Sequence, residues 1–343
     1  MRKTIKDVAR ETGFSISTVS LALSNKESRV SAATRQLVRE AAKEMNYRPN
    51  QLASGLITRR TNMLGIILPD ISNDFFARIA KGAGYEADLN NHSLMLFDTN
   101  DNPDKDIHAI NTLVEHSADG ILLTSSAVGN TDRLSDCLDM CDRDNIPVVL
   151  VDRESDIVEA HTVMIDQELG GYIAAKHLLD YGHKRIGCIT GPMVTSSSKK
   201  RLFGYIKAIQ EKGITFDSSL VLEGDYNTKC GYELAEKLVD KDITAIFAFN
   251  DLIAYGAYWY LREKNFSVPG DISIIGFDDI HFSQFIETPL STVHQPVFDI
   301  GREAVSKLIR MINKESVDMK TIFNPELKVR ASTAFYKERS IAV

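Results

Sequence analysis

From Met63 onward the hydrophobic period of the chain changes, and this constrains the fold more than any other feature of the sequence. Continuous apolar runs of strand length stand at 63–68, 94–97, 120–123, 148–151, 163–165, 186–189, 246–249 and 272–277. Helical segments separate them, among them 76–89, 105–115, 170–179, 202–211, 231–238 and 252–263. Strands that do not alternate apolar with polar positions are buried on both faces, as in parallel sheets covered by helices. Eight such units exceed one comfortable sheet, so the expectation is an α/β body of two doubly wound parallel-sheet lobes with a cleft between them.

The first 47 residues follow a different rule. Thr4 and Asp7 form a T-x-x-D capping signal for a helix that Gly13 ends as a left-handed cap. Ser15 opens a second helix through about Ser24, and Ser31 a third to about Asn46, with Leu37, Val38, Ala41 and Met45 as its apolar stripe. Two helices joined by a tight glycine-containing turn and braced by a third make the helix-turn-helix plan. Tyr47-Arg48-Pro49-Asn50 breaks the pattern. The stretch from Gln51 to Leu56 has room for barely two helical turns, which do not hold alone in water, and Gly55 adds to the cost. The expected boundaries are a head at 1–47, a hinge helix or linker at 48–60 and a body at 61–343. Within the body, lobe one takes about 61–160 and 293–322, and lobe two about 161–290 and 323–340.

Charge follows the same division. The net charge of −7 conceals 12 basic against 5 acidic residues in positions 1–60, and 28 against 42 in the rest. A basic head on an acidic body implies that only the head meets a polyanion. No apolar run approaches the roughly 20 residues of a membrane span. The N-terminus turns polar at once, unlike a secretion signal, so a cytoplasmic protein is expected with no membrane partner. The four cysteines lack metal-ligand or disulfide spacing and read as plain buried thiols, and the eight histidines are scattered. No phosphate-binding, dinucleotide, zinc-hydrolase or nucleophile-elbow motif is present, so neither a catalytic site, a metal nor a cofactor is expected.

In the second helix, Val19 and Leu23 lie about 40° apart and define the core face, whereas Leu21 is about 200° from Val19. An outward leucine on a basic module suits a thymine methyl in the major groove, and Ser17, Thr18 and Ser20 suit base edges or phosphates. Ile16 lies near the core face, yet a first-turn residue can still reach the groove.

Thr4-Ile5-Lys6-Asp7-Val8-Ala9, Ser17-Thr18-Val19-Ser20 and Asn46-Tyr47-Arg48-Pro49-Asn50 together resemble the head of the lactose-repressor (LacI/GalR) family. Later blocks extend the likeness over nearly the whole chain: Gly182-His183-Lys184-Arg185-Ile186, Phe249-Asn250-Asp251, and the run from Val268 to Asp279. Within the family the chain resembles the ribose operon repressors. The resemblance implies a DNA-facing set of Thr4, Ser15, Ile16, Ser17, Thr18, Ser20, Leu21, Asn25, Ser31 and Thr34. It also implies a hinge that folds on operator DNA, with Asn50 and Ala53 along the minor groove and Leu56 wedged into the central base step. Two positions depart from many relatives: Ser54 stands where a basic residue is common, and Leu21 where a polar or basic base reader is common.

For the body the resemblance implies the periplasmic sugar-binding fold. Asn73, Phe75 and Phe76 match an N-x-F-F segment whose rings sandwich a sugar. Asp152 and Arg153 match a D-R pair, Arg201 a second arginine, and Tyr226, Asn250, Asp278 and Gln295 an aromatic, an amide, a carboxylate and an amide. Thr124 stands where asparagine is expected. The chemistry is coherent by itself, because neutral polyols need carboxylate acceptors, guanidinium donors and ring faces. The expected protein is a homodimeric repressor on a near-palindromic operator, released by a monosaccharide of the ribose type. The chain ends soon after Tyr336 without leucine heptads, so no tetramer is expected. A catabolite-control relative responding to a phosphorylated partner protein or sugar phosphate is the alternative, and a purine-corepressed relative fits the polyol-type residues less well. A periplasmic binding protein or a sugar enzyme with a basic arm are the readings outside the family.

Overall fold

Capping chemistry sets the helices of the N-terminal unit. The computed structural model describes residues 3–23, 29–47, 60–126, 131–154 and 159–337, and the chain divides into units Met1–Thr61 and Asn62–Val343. Helix α1 (Ile5–Thr12) starts where the Asp7 carboxylate accepts from Thr4 N at 2.9 Å and from its hydroxyl at 2.8 Å. These two bonds hold Asp7 below the usual carboxylate range. Gly13 ends the helix at φ +73°, a conformation that costs glycine nothing. Helices α2 (Ile16–Leu23) and α3 (Ala32–Glu44) begin at Ser15 and Ser31, whose hydroxyls accept from Thr18 N and Thr34 N at 3.1 and 3.2 Å. Val8, Ala9, Val19, Ala22, Val38 and Ala42 form the core, with Phe14, Leu23 and Met45 packed around it. Leu37 does not join them. It is 49% exposed, and the third helix buries Val38 and Ala42, one turn apart, so its apolar stripe is narrower than the sequence suggested.

In the body, sheet one contains β1 (Met63–Leu68), β2 (Ser93–Asp98), β3 (Gly120–Leu123), β4 (Val148–Val151), β5 (Thr162–Ile165) and β11 (Lys320–Phe323), in the order β11-β5-β4-β3-β1-β2 and parallel throughout. Sheet two contains β6 (Ile186–Thr190), β7 (Val221–Glu223), β8 (Ala245–Ala248), β9 (Ser273–Asp278), β10 (Ser291–His294) and β12 (Glu326–Lys328). Its order is β12-β10-β9-β8-β6-β7, with only the β10–β12 pair antiparallel. The chain therefore passes between the lobes three times, and each crossing lies a few residues later than expected. The strand at 162–165 belongs to sheet one rather than lobe two, 293–294 to sheet two rather than lobe one, and Phe323 to sheet one. A short apolar run announces a strand, but its partner in the ladder decides which sheet it joins.

Three helix pairs share one packing device. They are α4 (Asp74–Leu89) with α11 (Val297–Ile312), α7 (Gln167–Asp180) with α8 (Ser196–Glu211), and α9 (Thr228–Val239) with α10 (Asp251–Glu263). At each crossing both helices contribute a glycine whose missing Cβ admits the partner's backbone. A Cβ on Gly82 would stand 2.0 Å from the Phe298 carbonyl oxygen, and one on Gly301 2.1 Å from that of Ile79. Gly171 and Gly204 face Arg201 and Glu168 in the same way, as do Gly231 and Gly256 for Ile253 and Thr228. Helices α5 (Pro103–Glu115) and α6 (Thr131–Arg143) cover the other face of sheet one over a separate apolar cluster that includes Cys137 and Cys141.

Candidate functional site

The C-terminal ends of the strands in both sheets meet at a cavity of about 480 Å³. Pro69, Asp70 and Ser72 follow β1, Asn100 and Asp101 follow β2, and Asp152 and Arg153 follow β4. From the other lobe come Pro192 after β6, Asp225, Tyr226 and Asn227 after β7, Asn250 after β8, and Asp278 at the end of β9. Ligand sites of open α/β sheets form at such strand ends.

Helix starts supply a second group of wall residues. Asn73, Asn227 and Asn250 cap α4, α9 and α10, accepting from Phe75 N, Cys230 N and Ile253 N at 3.1, 2.9 and 2.8 Å. Their oxygens are thereby engaged, which leaves the amide nitrogens of Asn73 and Asn227 to face a ligand, while that of Asn250 donates to the Tyr226 carbonyl at 3.5 Å. Phe75 and Phe76 pack edge to face at 5.0 Å and 83°, so two different ring orientations reach the cavity wall.

The charged groups form a buried network. Arg201 donates to Gln167 Oε1 at 2.7 Å and to the Phe249 carbonyl, and its guanidinium lies 3.6 Å over the Phe277 ring. Its Nη1 is 4.0 Å from Asp278 Oδ1, which also accepts from Gln295 Nε2 at 2.6 Å. Gln167 Nε2 donates to Asp152 at 3.3 Å and so links Asp152 to Arg201. Arg153 grips Asp101 through two bonds of 2.5 and 3.3 Å and donates to the Ser125 carbonyl at 3.2 Å. Burial pushes the Asp152 and Asp278 carboxyls above their ordinary range, and the nearby arginines only partly offset it. Both residues hold positive φ, +65° and +108°, the kind of backbone strain that clusters at binding sites.

Of the residues proposed from sequence, Asn73, Phe75, Phe76, Asp152, Arg153, Arg201, Tyr226, Asn250 and Asp278 line this one cavity. Thr124 and Gln295 do not. Both are fully buried, and Gln295 meets the cavity wall by its hydrogen bond to Asp278. Thr124 Oγ1 and Gln295 Oε1 have no hydrogen-bond partner among the described residues. Sequence reasoning missed Asp70, Ser72, Asn100, Asp101, Ser197, Asp225 and Asn227. All except Ser197, in the first turn of α8, stand one to four residues beyond a strand end, and that position was a usable signal.

In the head, Leu21 and Ile16 are 47% and 45% exposed beside exposed Ser17 and Ser20, while Val19 is buried. Ser15, Ser31 and Thr4 are engaged in caps, and Thr18 and Thr34 share hydrogen bonds with Ser15 and Ser31. Asn25, Asn50, Ala53 and Leu56 lie outside the described residues. Among the described residues no three His, Cys, Asp or Glu side chains converge as a metal site. Burial pushes the Cys137 and Cys141 thiols up to about 12, which suits inert packing groups. No helix among the described residues is long and apolar enough to cross a membrane.

A helix-turn-helix unit followed by two sheets with a ligand-sized cleft defines the class of small-molecule-responsive DNA-binding regulators. Residues 61–337 match the family of periplasmic binding proteins and the sugar-binding domain of the LacI family, and residues 4–50 match the bacterial regulatory proteins of the LacI family. The chain belongs to the LacI family of transcriptional regulators, which are DNA-binding proteins and not enzymes. It is 37% identical to the transcriptional regulator DegA of Bacillus subtilis, covering 97% of this chain and 99% of that one. Catabolite control protein A of Priestia megaterium is 34% identical over 97% and 100% of the two chains, and the repressor PurR of Pasteurella multocida 36% identical over 96% and 98%. The Lac repressor dimer bound to operator and an anti-inducer superposes with a TM-score of 0.86 at 25% identity, covering 97% of this chain and 100% of that one. A ribose-bound LacI-family regulator from Enterococcus faecium gives 0.73 at 28% identity, over 80% and 100%.

Proposed function

We propose that the chain is a homodimeric repressor of a sugar-utilisation operon and that a monosaccharide of the ribose type, bound in the cleft, releases it from its operator. The observation that carries this reading is the convergence of Asp152, Arg153, Arg201 and Asp278 with the Phe75 and Phe76 rings on one cavity wall. Carboxylates accept from sugar hydroxyls, guanidiniums donate to them, and rings cover the C–H faces. The described wall holds five carboxylates (Asp70, Asp101, Asp152, Asp225 and Asp278) against two guanidiniums, one of them already paired with Asp101. That balance favours a neutral ligand over a sugar phosphate. The ribose-bound neighbour gives the finer assignment its support. Effector binding changes the relation of the lobes, the hinge at 48–60 transmits the change, and operator binding weakens sugar binding by the same factor.

A second reading has the likeness to catabolite control protein A and PurR behind it: response to a phosphorylated partner or sugar phosphate, or to a purine. A thermal-shift series with ribose, other pentoses and hexoses, their phosphates and purines separates these, because a ligand bound by the native state alone raises the melting temperature. The expected outcome is a shift with ribose or a close pentose, and calorimetric affinity that falls when operator DNA is present. A shift with phosphates or purines alone rejects the proposed effector.

A further inference from the structure

The loop after β4 carries an acidic group that the effector reading leaves unused. Glu154 is 3% exposed and follows Asp152 and Arg153 directly. Its carboxylate accepts from Lys200 Nζ on α8 and from Lys320 Nζ on β11, the latter at 2.7 Å. Its carbonyl accepts from Ser196 Oγ, at the start of α8, at 3.0 Å. Strands β4 and β11 belong to sheet one, whereas α8 joins β6 to β7 of sheet two. One buried carboxylate thus joins lysines from opposite lobes, and α8 supplies two of the three bonds. The same helix carries Ser197 and Arg201 to the cavity wall.

We infer that Glu154 is a positioning residue that fastens α8 to lobe one and so sets how far the cleft stands open. A buried carboxylate between two ammonium groups is favourable only while its partners remain, and removing one member leaves the others uncompensated. Without its charge, Lys200 and Lys320 repel each other across the lobes. Burial and Lys320 already push the Lys200 ammonium below its ordinary value. Loss of Lys200 differs in kind, since it removes a bond and the repulsion together. Glu154 neutralisation therefore opens the lobes more than Lys200 neutralisation does, an asymmetry that simple loss of a contact does not produce.

The test uses the full-length chain carrying spin labels at Glu115→Cys on α5 and Glu236→Cys on α9, both exposed, in a Cys230→Ser background. Pulsed electron resonance then reads the inter-lobe distance without any ligand. The expected result is a longer or broader distribution for E154Q, a smaller change for K200Q, and a double variant no more open than K200Q. An E154Q distribution identical to the parent's overturns the inference, as does an equal change in E154Q and K200Q. Should E154Q not fold, S196A removes one α8 bond, and an unchanged distribution there overturns it as well. A second arm, which rests on the proposed function, is ribose titration: E154Q should bind about tenfold more weakly. If the parent binds no ribose while E154Q opens the lobes, the sugar assignment fails and the fastening stands.

Discussion

The two units of the chain handle polar chemistry in opposite ways. Among the described residues the head buries only Val8, Ala9, Val19, Ala22, Val38 and Ala42, and turns most of its hydroxyls and basic groups outward. The body buries Asp152, Gln167, Arg201, Asp278 and Gln295 as one connected chain, Arg153 against Asp101, and Asp251 against Ser283 and Thr292. A surface that reads a large partner needs side chains in water, where their contacts are replaceable one at a time. A site that encloses a small molecule needs them desolvated and held, where each depends on its neighbours.

The strongest way to break this contrast is Arg201→Ala. Removing a buried cation that serves Gln167, the Phe249 carbonyl and Asp278 should cost about 3–5 kcal/mol of effector binding, beyond a hundredfold, while operator affinity without effector changes little. Operator affinity falling in parallel in a gel shift would contradict the separation.

Asp251 sharpens it through pH. Burial pushes its carboxyl up to about 7, against hydrogen bonds from Ile280 N, Ser283 Oγ and Thr292 Oγ1. A folded pKa above the unfolded value of 3.8 contributes stability that is whole below pH 4 and is lost as pH rises to about 7. The full shift corresponds to about 4 kcal/mol at most. Asp251→Asn should therefore lose less stability than the parent between pH 4.5 and 7.5 in urea melts, though Asp152 and Asp278 keep some slope in both. Equal slopes would remove Asp251 from the account.

Leu21→Arg tests the outward surface. It should change the preferred half-site by about 1–3 kcal/mol at one base pair, a guanine-directed fork replacing a methyl contact. Operators selected from random sequence that come out the same for both proteins would show that Leu21 reads no base. The smallest effect belongs to Ser31→Ala, which should cost the head about 1 kcal/mol by uncapping α3 and leave the melting of the body untouched.

How much of this was legible depended on whether a local rule decided the outcome. The helix starts at Thr4, Ser15 and Ser31 are local, and the structure places them where the capping pattern did. The long apolar strands were equally plain. Strands β7 and β12, three residues each, and β10, with its Ser-Thr-Val-His sequence, carry too little hydrophobic signal, because partners distant in sequence create them. The cleft followed the same division. Arg201 and Asp278 were readable from their blocks, but the burial of Thr124 and Gln295 depends on packing from elements far along the chain.

The reciprocal glycines carry a consequence for how such a chain can acquire new specificity. At three helix crossings there is no room for even a methyl group, so these pairs cannot absorb a larger side chain without prising the layers apart. Variation that retunes the ligand is thereby channelled into the turns beyond the strand ends, where Asp70, Asn100, Asp225 and Asn227 reach the cavity wall. An engineer seeking a different ligand should randomise those turns and leave the helices alone.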